Sequence, residues 1–161
     1  GAWDDCDETD DDCNGIVNDG TVGWDSYEPD DETPTDLGEI SEDSMMLFTW
    51  AQSPGDIDRF QFFVDDNNDI VGDGFFIYAQ VDTIPAGVDL SLTLNRLTDS
   101  DDEPWFMELD VSNEESYGGV EFVEHQGTWG ANDDGIYELV VTAAQGYDCD
   151  DAYELYIETG S

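Results

Sequence analysis

The sequence predicts an all-β fold, an antiparallel, jelly-roll-like β-sandwich of about eight strands preceded by an irregular acidic loop. From Met45 onward, short apolar or alternating runs are separated by clusters of Gly, Asp, Asn and Pro, which is typical of strands joined by turns. No stretch carries apolar residues at helical spacing over the length that a helix needs. Hydrophobic residues make up 39% of the 161 residues and aromatic residues 12%, which is too much apolar material for a disordered acidic chain. We therefore expect one folded domain, residues 25–161, behind an acidic arm, residues 1–24.

The predicted strands are short, and several alternate cleanly between apolar and polar side chains. In the segment 90–97 alternate residues point to opposite sides, so one face is buried and one is wet. Leu90, Leu92 and Leu94 point to one side, and Ser91, Thr93 and Asn95 point to the other. The eight predicted strands are residues 45–51, 59–64, 75–81, 90–97, 105–109, 120–124, 136–142 and 153–158. We expect their aromatic residues to pack in the core or at strand edges, with a carbohydrate-stacking face as the alternative. They include Trp50, Phe60, Phe62, Phe75, Trp105 and Phe122.

The charge of the chain excludes two classes of partner. The formal net charge is -41, and the only basic side chains are Arg59 and Arg96. Nucleic acids and anionic membranes would be repelled, because almost no cation is available to neutralise phosphate groups. Self-repulsion of this size must be screened by bound divalent cations or by high salt. Two explanations of this charge therefore remain: the protein binds calcium, or it has the acidic surface of a protein from a salt-loving organism.

An acidic loop at residues 6–20, CDETDDDCNGIVNDG, has the pattern of a calcium-binding loop. Oxygen-bearing residues and a glycine stand at positions 1, 3, 5 and 6 of such a loop, and a hydrophobic residue stands at position 8. The first four are Asp10, Asp12, Asn14 and Gly15. The glutamate expected at position 12 is replaced by Thr21, and Asp19 is the candidate to substitute for it.

Three cysteines accompany these carboxylates. Cys6 and Cys13 lie in the same acidic loop, where neighbouring carboxylates disfavour a thiolate, so a disulfide is expected rather than a redox role. Cys149 is then free or paired with another molecule. The absence of an initiator Met and of a long apolar segment suggests an exported chain that does not span a membrane.

Five segments, taken in order, resemble the bacterial pre-peptidase C-terminal domain. They are YEPDD at 27–31, GDIDRFQFFV at 55–64, VDLSLTLNRL at 88–97, GIYELVV at 135–141 and AYELYIE at 152–158. The resemblance implies a small β-sandwich of the kind attached to secreted proteases, some members of which bind calcium or collagen. It also implies a calcium site whose ligands are Glu28, Asp30, Asp31, Asp56 and Asp58.

The chain departs from that family in its acidic insertions at 65–74 and 98–103. We also expect it to have no protease attached, unlike the family members on secreted proteases. Asp30 also stands where the family has Asn, which adds charge to the implied site. The loop at residues 6–20 resembles a second group, a Cys-rich acidic repeat of secreted bacterial proteins presumed to bind metal.

The residues offer little for catalysis. There is one histidine and no lysine, and Ser53 and Ser91 lack the context of a nucleophile. His125 is expected to be a surface or turn residue. We therefore expect a protein that is not an enzyme.

Two functions remain. The first is a secreted, calcium-binding structural or adhesive module that associates with itself, for example as a subunit of a surface filament. The second is an accessory domain that binds collagen or a polysaccharide. Exposed aromatic residues clustered on one sheet face would favour the second.

Overall fold

The part of the chain that the structure describes consists mainly of β-strands. The computed structural model describes residues 33–41, 44–49, 51, 56–65, 75–98, 106–113, 118–127, 133–148 and 151–160. These residues form nine strands: β1 (Thr35–Glu39), β2 (Ser44–Thr49), β3 (Ile57–Val64), β4 (Phe76–Asp82), β5 (Asp89–Leu97), β6 (Phe106–Ser112), β7 (Glu121–Gln126), β8 (Gly135–Gln145) and β9 (Tyr153–Gly160). Within the described ranges, no helix is of the length and hydropathy needed to cross a membrane.

The strands form two sheets. The five-stranded sheet has the order β1-β3-β8-β5-β6, and the four-stranded sheet has the order β2-β9-β4-β7. Every neighbouring pair is antiparallel except β1 and β3, which run parallel. The chain thus passes repeatedly from one sheet to the other, since β4, β7 and β9 alternate in sequence with strands of the five-stranded sheet.

The core lies between the sheets and receives alternate side chains from both. Leu92, Leu94 and Leu139 of the five-stranded sheet have no exposed surface, and neither do Ile77 and Leu155 of the four-stranded sheet. All five belong to one cluster of buried apolar residues. Each such side chain stabilises the fold by about 1.5–3 kcal/mol relative to exposure to water. The all-β sandwich predicted from the alternating segments is confirmed.

All eight predicted strands are present, with ends that differ by a few residues. The strand that the sequence did not predict is β1, whose residues TDLGE are mostly polar and mostly exposed or half-buried. It lies at the edge of the five-stranded sheet, and its pairing with β3 is irregular between Asp36 and Glu39. Gly38 in this irregular part has φ +77°, a conformation that favours glycine. A short, irregular edge strand of this kind carries no alternating pattern for the sequence to reveal.

The two sheets approach each other along the side formed by β6 and β7. The hydroxyl of Ser112 donates a hydrogen bond of 2.5 Å to the carboxylate of Glu121, which is only 1% exposed. The backbone N–H of Glu124 donates to Oδ2 of Asp110 at 2.9 Å. These two bonds connect the edge of one sheet to the edge of the other, because β6 and β7 belong to different sheets.

Candidate functional site

The outer side of the four-stranded sheet carries a row of aromatic and apolar side chains that crosses all four strands. We call this row the aromatic face; it consists of Met46, Phe48, Tyr78, Phe122 and Tyr156. Phe122 is 54% exposed, Phe48 51% and Met46 50%, and the two tyrosines are half-buried. Large apolar side chains gathered on one exposed sheet face are unusual, whereas scattered ones are common.

Strand pairing positions these rings next to one another. Tyr156 pairs with Gln80, and Gln80 pairs with Phe122 on its other side, so the two rings flank β4. The ring centroids of Tyr78 and Phe122 are 6.4 Å apart with an interplanar angle of 25°. Those of Tyr78 and Tyr156 are 6.5 Å apart at 60°. Tyr78 is therefore the centre of a three-ring cluster held by the backbone of three adjacent strands.

Polar side chains alternate with the rings on this face. Tyr78 lies directly opposite Glu158 of β9 and Glu124 of β7. The hydroxyl of Tyr78 donates to Gln80 at 2.5 Å, and that of Tyr156 donates to Glu158 at 3.0 Å. The aromatic face thus combines apolar rings with carboxylate and amide groups whose orientation is set by local hydrogen bonds.

Of the two positions predicted for Phe122, the core is wrong, because Phe122 is 54% exposed and lies on the edge strand β7. Alternation along β7 turns Glu121 and Val123 inward and Phe122 outward. Sequence pattern alone predicts that Phe122 is buried and Glu121 exposed, because phenylalanine is buried far more often than glutamate. The inward position of Glu121 is possible because the Ser112 hydroxyl satisfies its carboxylate. The same prediction is confirmed for Phe60, Phe62 and Phe75, which are at most 4% exposed, whereas Trp50 and Trp105 lie outside the described residues.

Two of the predicted metal ligands, Asp56 and Asp58, lie at the beginning of β3 and are buried. Asp58 points between the sheets, where it accepts hydrogen bonds from the hydroxyl of Thr49 at 3.0 Å and from the hydroxyl of Tyr153. Burial, and then the negative charge of Asp58 beside the phenol, holds the pKa of Tyr153 well above its ordinary value of 10.0, and Asp56 adds to this effect. Asp58 is therefore in direct contact with a buried phenol, whose pKa the charge of Asp56 also raises.

The other predicted ligands lie outside the described residues. They are Glu28, Asp30, Asp31, Asp10, Asp12, Asn14 and Asp19, together with the cysteines Cys6, Cys13 and Cys149. Among the described residues, no three His, Cys, Asp or Glu side chains are grouped so that they could hold a metal ion. Asp56 and Asp58 are thus the part of the predicted sandwich site whose position the structure gives.

His125 does not occupy the surface or turn position expected for it. It lies within β7, and its Nε2 atom is buried without a hydrogen-bond partner in the described part of the chain. Its ring is 6.3 Å from those of Phe75 and Tyr137, measured between centroids. Burial lowers the pKa of His125 below its ordinary value of 6.5, and the charge of Asp133 opposes that shift.

Both arginines form ion pairs within the chain. Arg59 pairs with Glu138 on the outer side of the five-stranded sheet, with Nη1 3.2 Å from Oε1. Arg96 pairs with Asp133 at 3.2 Å, and its guanidinium lies 5.6 Å from the centroid of the Tyr137 ring. Since these are the only basic side chains of the protein, the aromatic face contains carboxylates but no Lys or Arg.

Comparison with known proteins gives similarity of structure only. No family model matches the sequence, and a search of curated proteins found no match. Among solved structures, the chain is similar to the pre-peptidase C-terminal domain of a collagenase from Bacillus anthracis, with 13% identity, a TM-score of 0.40 and coverage of 78% of this chain and 95% of that one. It is also similar to CorA, a surface-associated copper-binding protein of Methylomicrobium album BG8, with 11% identity, a TM-score of 0.36 and coverage of 75% and 96%. The family that the sequence motifs resemble is thus present among the structural neighbours.

Proposed function

We propose that this protein is a non-enzymatic, secreted or surface-displayed binding module that docks an extracellular macromolecule through the aromatic face. The observation that carries the proposal is the cluster of Tyr78, Phe122 and Tyr156 on the outer side of the four-stranded sheet. Buried aromatic residues would have agreed equally well with a purely structural domain. A row of rings turned to water on one sheet face favours ligand binding, because exposed apolar area of this kind is typical of interaction sites.

The geometry of the face suits the docking of a polymer. Aromatic side chains contribute large contact areas and lose little conformational entropy on binding, since they have only two side-chain torsions. Here the three rings are carried by β4, β7 and β9, so their spacing is fixed by the backbone of the sheet before any ligand arrives. An extended polymer could lie across the strands and contact each ring in turn.

The proposal is tested by co-sedimentation of the protein with insoluble cellulose, chitin or collagen fibrils. Replacement of both Tyr78 and Phe122 by Ala is expected to weaken binding at least about tenfold, which corresponds to about 1.4 kcal/mol. Phe63→Ala is the matched control, because Phe63 is also an exposed aromatic residue, at 40%, but lies on the five-stranded sheet. Equal retention of the double variant and the control on a polymer that binds the wild type would contradict the proposal. So would a wild-type protein that binds neither these polymers nor a basic peptide.

Self-assembly into a surface structure is the other function expected from the sequence, and it predicts a different result. A self-associating subunit would form oligomers whose size depends on protein concentration, and the Tyr78 and Phe122 substitutions would reduce that size without any polymer present. Light scattering coupled to gel filtration separates the two functions. A wild-type protein that stays monomeric while it binds a polymer would support the binding module alone.

We also propose that calcium stabilises the fold, held at the sandwich by Asp56 and Asp58 with Glu28, Asp30 and Asp31, and at residues 6–20 by Asp10, Asp12, Asn14 and Asp19. Two buried carboxylates at the beginning of β3 and a net charge of -41 support a need for divalent cations. Calcium at about a hundred times its dissociation constant should add about 2.7 kcal/mol to the free energy of unfolding. Thermal unfolding in calcium, with sodium chloride at matched ionic strength as the control, tests this; an equal response to both salts would indicate screening only.

A further inference from the structure

We infer that the ligand of the aromatic face is cationic, a segment of a protein or peptide rich in lysine or arginine. The inference rests on the proposed function and names the chemistry of its ligand. It depends on one juxtaposition, the placement of carboxylates directly beside the exposed rings. Aromatic rings alone would fit many polymers, so the neighbouring charges determine the choice.

The carboxylates and rings form a regular pattern around Tyr78. Glu158 and Glu124 lie directly opposite Tyr78 on its two sides, whereas Tyr156 and Phe122 lie diagonally from it. Directly opposite residues in a sheet have Cβ atoms about 5 Å apart, and long side chains reach diagonal neighbours. Tyr78 thus has one glutamate beside it on each neighbouring strand, where Glu124 accepts a hydrogen bond from Gln126 at 2.6 Å and Glu158 accepts one from Tyr156 at 3.0 Å. We expect a cation at the Tyr78 ring to be within reach of these two carboxylates.

This arrangement offers two attractions that reinforce each other for the same ligand atom. An ammonium or guanidinium group within about 6 Å of a ring centroid is attracted by the electron-rich face of the ring. Hydrogen bonds from such a group to a carboxylate are about twice as strong as those between neutral partners. An uncharged ligand would receive neither benefit, and it would cover Glu124 and Glu158 without neutralising them, which costs free energy.

The protein itself supplies no basic side chain to this face. Arg59 is engaged with Glu138 on the outer side of the five-stranded sheet, and Arg96 is engaged with Asp133. An anionic ligand would meet the repulsion of a net charge of -41. Charge complementarity therefore selects a cationic partner, and the rings decide where on the molecule it binds.

A strongly acidic protein attracts any polycation to some extent, so the test must separate the face from this diffuse attraction. The probe is a short oligolysine, and its affinity is measured by isothermal titration at physiological salt. Tyr78→Ala leaves the charge unchanged and is expected to weaken binding at least about fivefold, whereas Tyr78→Phe keeps the ring and should bind like the wild type. Phe63→Ala on the five-stranded sheet is the control for loss of an exposed ring.

A second pair of variants tests the carboxylates. Replacement of Glu124 and Glu158 by Gln removes two charges from the face, and replacement of Glu39 and Glu108 by Gln removes two charges from exposed positions on the five-stranded sheet. The first pair should weaken oligolysine binding by a larger factor than the second. Thermal melts of all variants establish that each is folded before its affinity is compared.

The outcomes distinguish this inference from the proposed function. If Tyr78→Ala binds oligolysine as well as Phe63→Ala does, and the two charge-removing pairs are equal, oligolysine is held by diffuse attraction and the inference is overturned. If the face variants lose binding to cellulose, chitin or collagen but keep oligolysine, the proposed function stands and the cationic ligand is wrong. If the face variants keep both polymer binding and oligolysine binding, the proposed function and the cationic ligand are both wrong.

Discussion

Replacing Tyr153 by Phe should destabilise the protein, because the Tyr153 hydroxyl donates to a carboxylate that lies between the two sheets. Tyr153 has no exposed surface and Asp58 is 2% exposed, so the lost bond cannot be replaced readily by bulk water. Hydrogen bonds to charged groups contribute about 1.5–3 kcal/mol. Because Asp58 keeps the hydrogen bond from Thr49, we expect a loss of about 2 kcal/mol in the free energy of unfolding.

For a chain of this size, a loss of that magnitude lowers the midpoint of thermal unfolding by about 4–8 °C. The matched control is Tyr156→Phe on the same strand, whose hydroxyl bonds the half-buried Glu158 and whose loss should cost less than about 0.5 kcal/mol. Urea denaturation at neutral pH measures both. Equal stability of the two variants would refute the assignment of Asp58 and Tyr153 as a buried pair that stabilises the contact between sheets.

Three further perturbations have definite expected results. Leu139→Ala should lower the free energy of unfolding by about 2–5 kcal/mol in urea denaturation, because Leu139 is fully buried, whereas the 38% exposed Ile136 should tolerate the same change better. Gly127→Ala should lower the melting temperature, since the new Cβ would lie 2.9 Å from Cδ1 of Phe75 and would also meet a carboxylate. Because the pKa of His125 is lowered in the folded protein, the unfolded chain binds a proton at this histidine more readily than the folded chain does. The free energy of unfolding is therefore unaffected by this group above pH 6.5 and decreases as the pH falls below 6.5. His125→Phe should remove this part of the pH dependence in thermal melts. If the melting temperature of the variant changes between neutral and mildly acidic pH as much as that of the wild type, the burial of the imidazole is contradicted.

Short apolar or alternating runs between turn residues were sufficient to predict eight of the strands, and where the alternation is clean the sandwich buries one face of the strand and leaves the other in water. The segment SLTL in β5 illustrates this, with Leu92 and Leu94 fully buried and Ser91 and Thr93 half-buried. The prediction missed β1 because an edge strand that buries little need not alternate. β1 is held by backbone hydrogen bonds to β3, and these bonds depend little on which side chains β1 carries.

The aromatic face could not be assigned from the sequence because its strands carry apolar residues on both sides. In β4, Ile77 and Ala79 face inward and Tyr78 faces outward, yet all three are apolar or aromatic. The side that is buried is decided by the register with β9 and β7, which are far away in sequence. Glu121 and Phe122 show the limit clearly, since the glutamate is buried with a hydrogen bond from Ser112 of the other sheet while the phenylalanine faces water. The carboxylates at the beginning of β3 were recognisable from the family motif, but their contact with Tyr153 depends on the packing of the two sheets.

The positions of the two paired arginines also determine where trypsin can cut. Trypsin cleaves after lysine or arginine, and this protein offers it only Arg59, within β3, and Arg96, near the end of β5. Both residues lie in hydrogen-bonded strands of the same sheet, so cleavage requires that part of the sheet to open first. When opening is fast relative to cleavage, the rate of digestion follows the population of the open form. The rate of trypsin digestion therefore reports the local opening of this sheet. A lower rate in the presence of a ligand or a salt would measure how much that addition reduces the population of the open form.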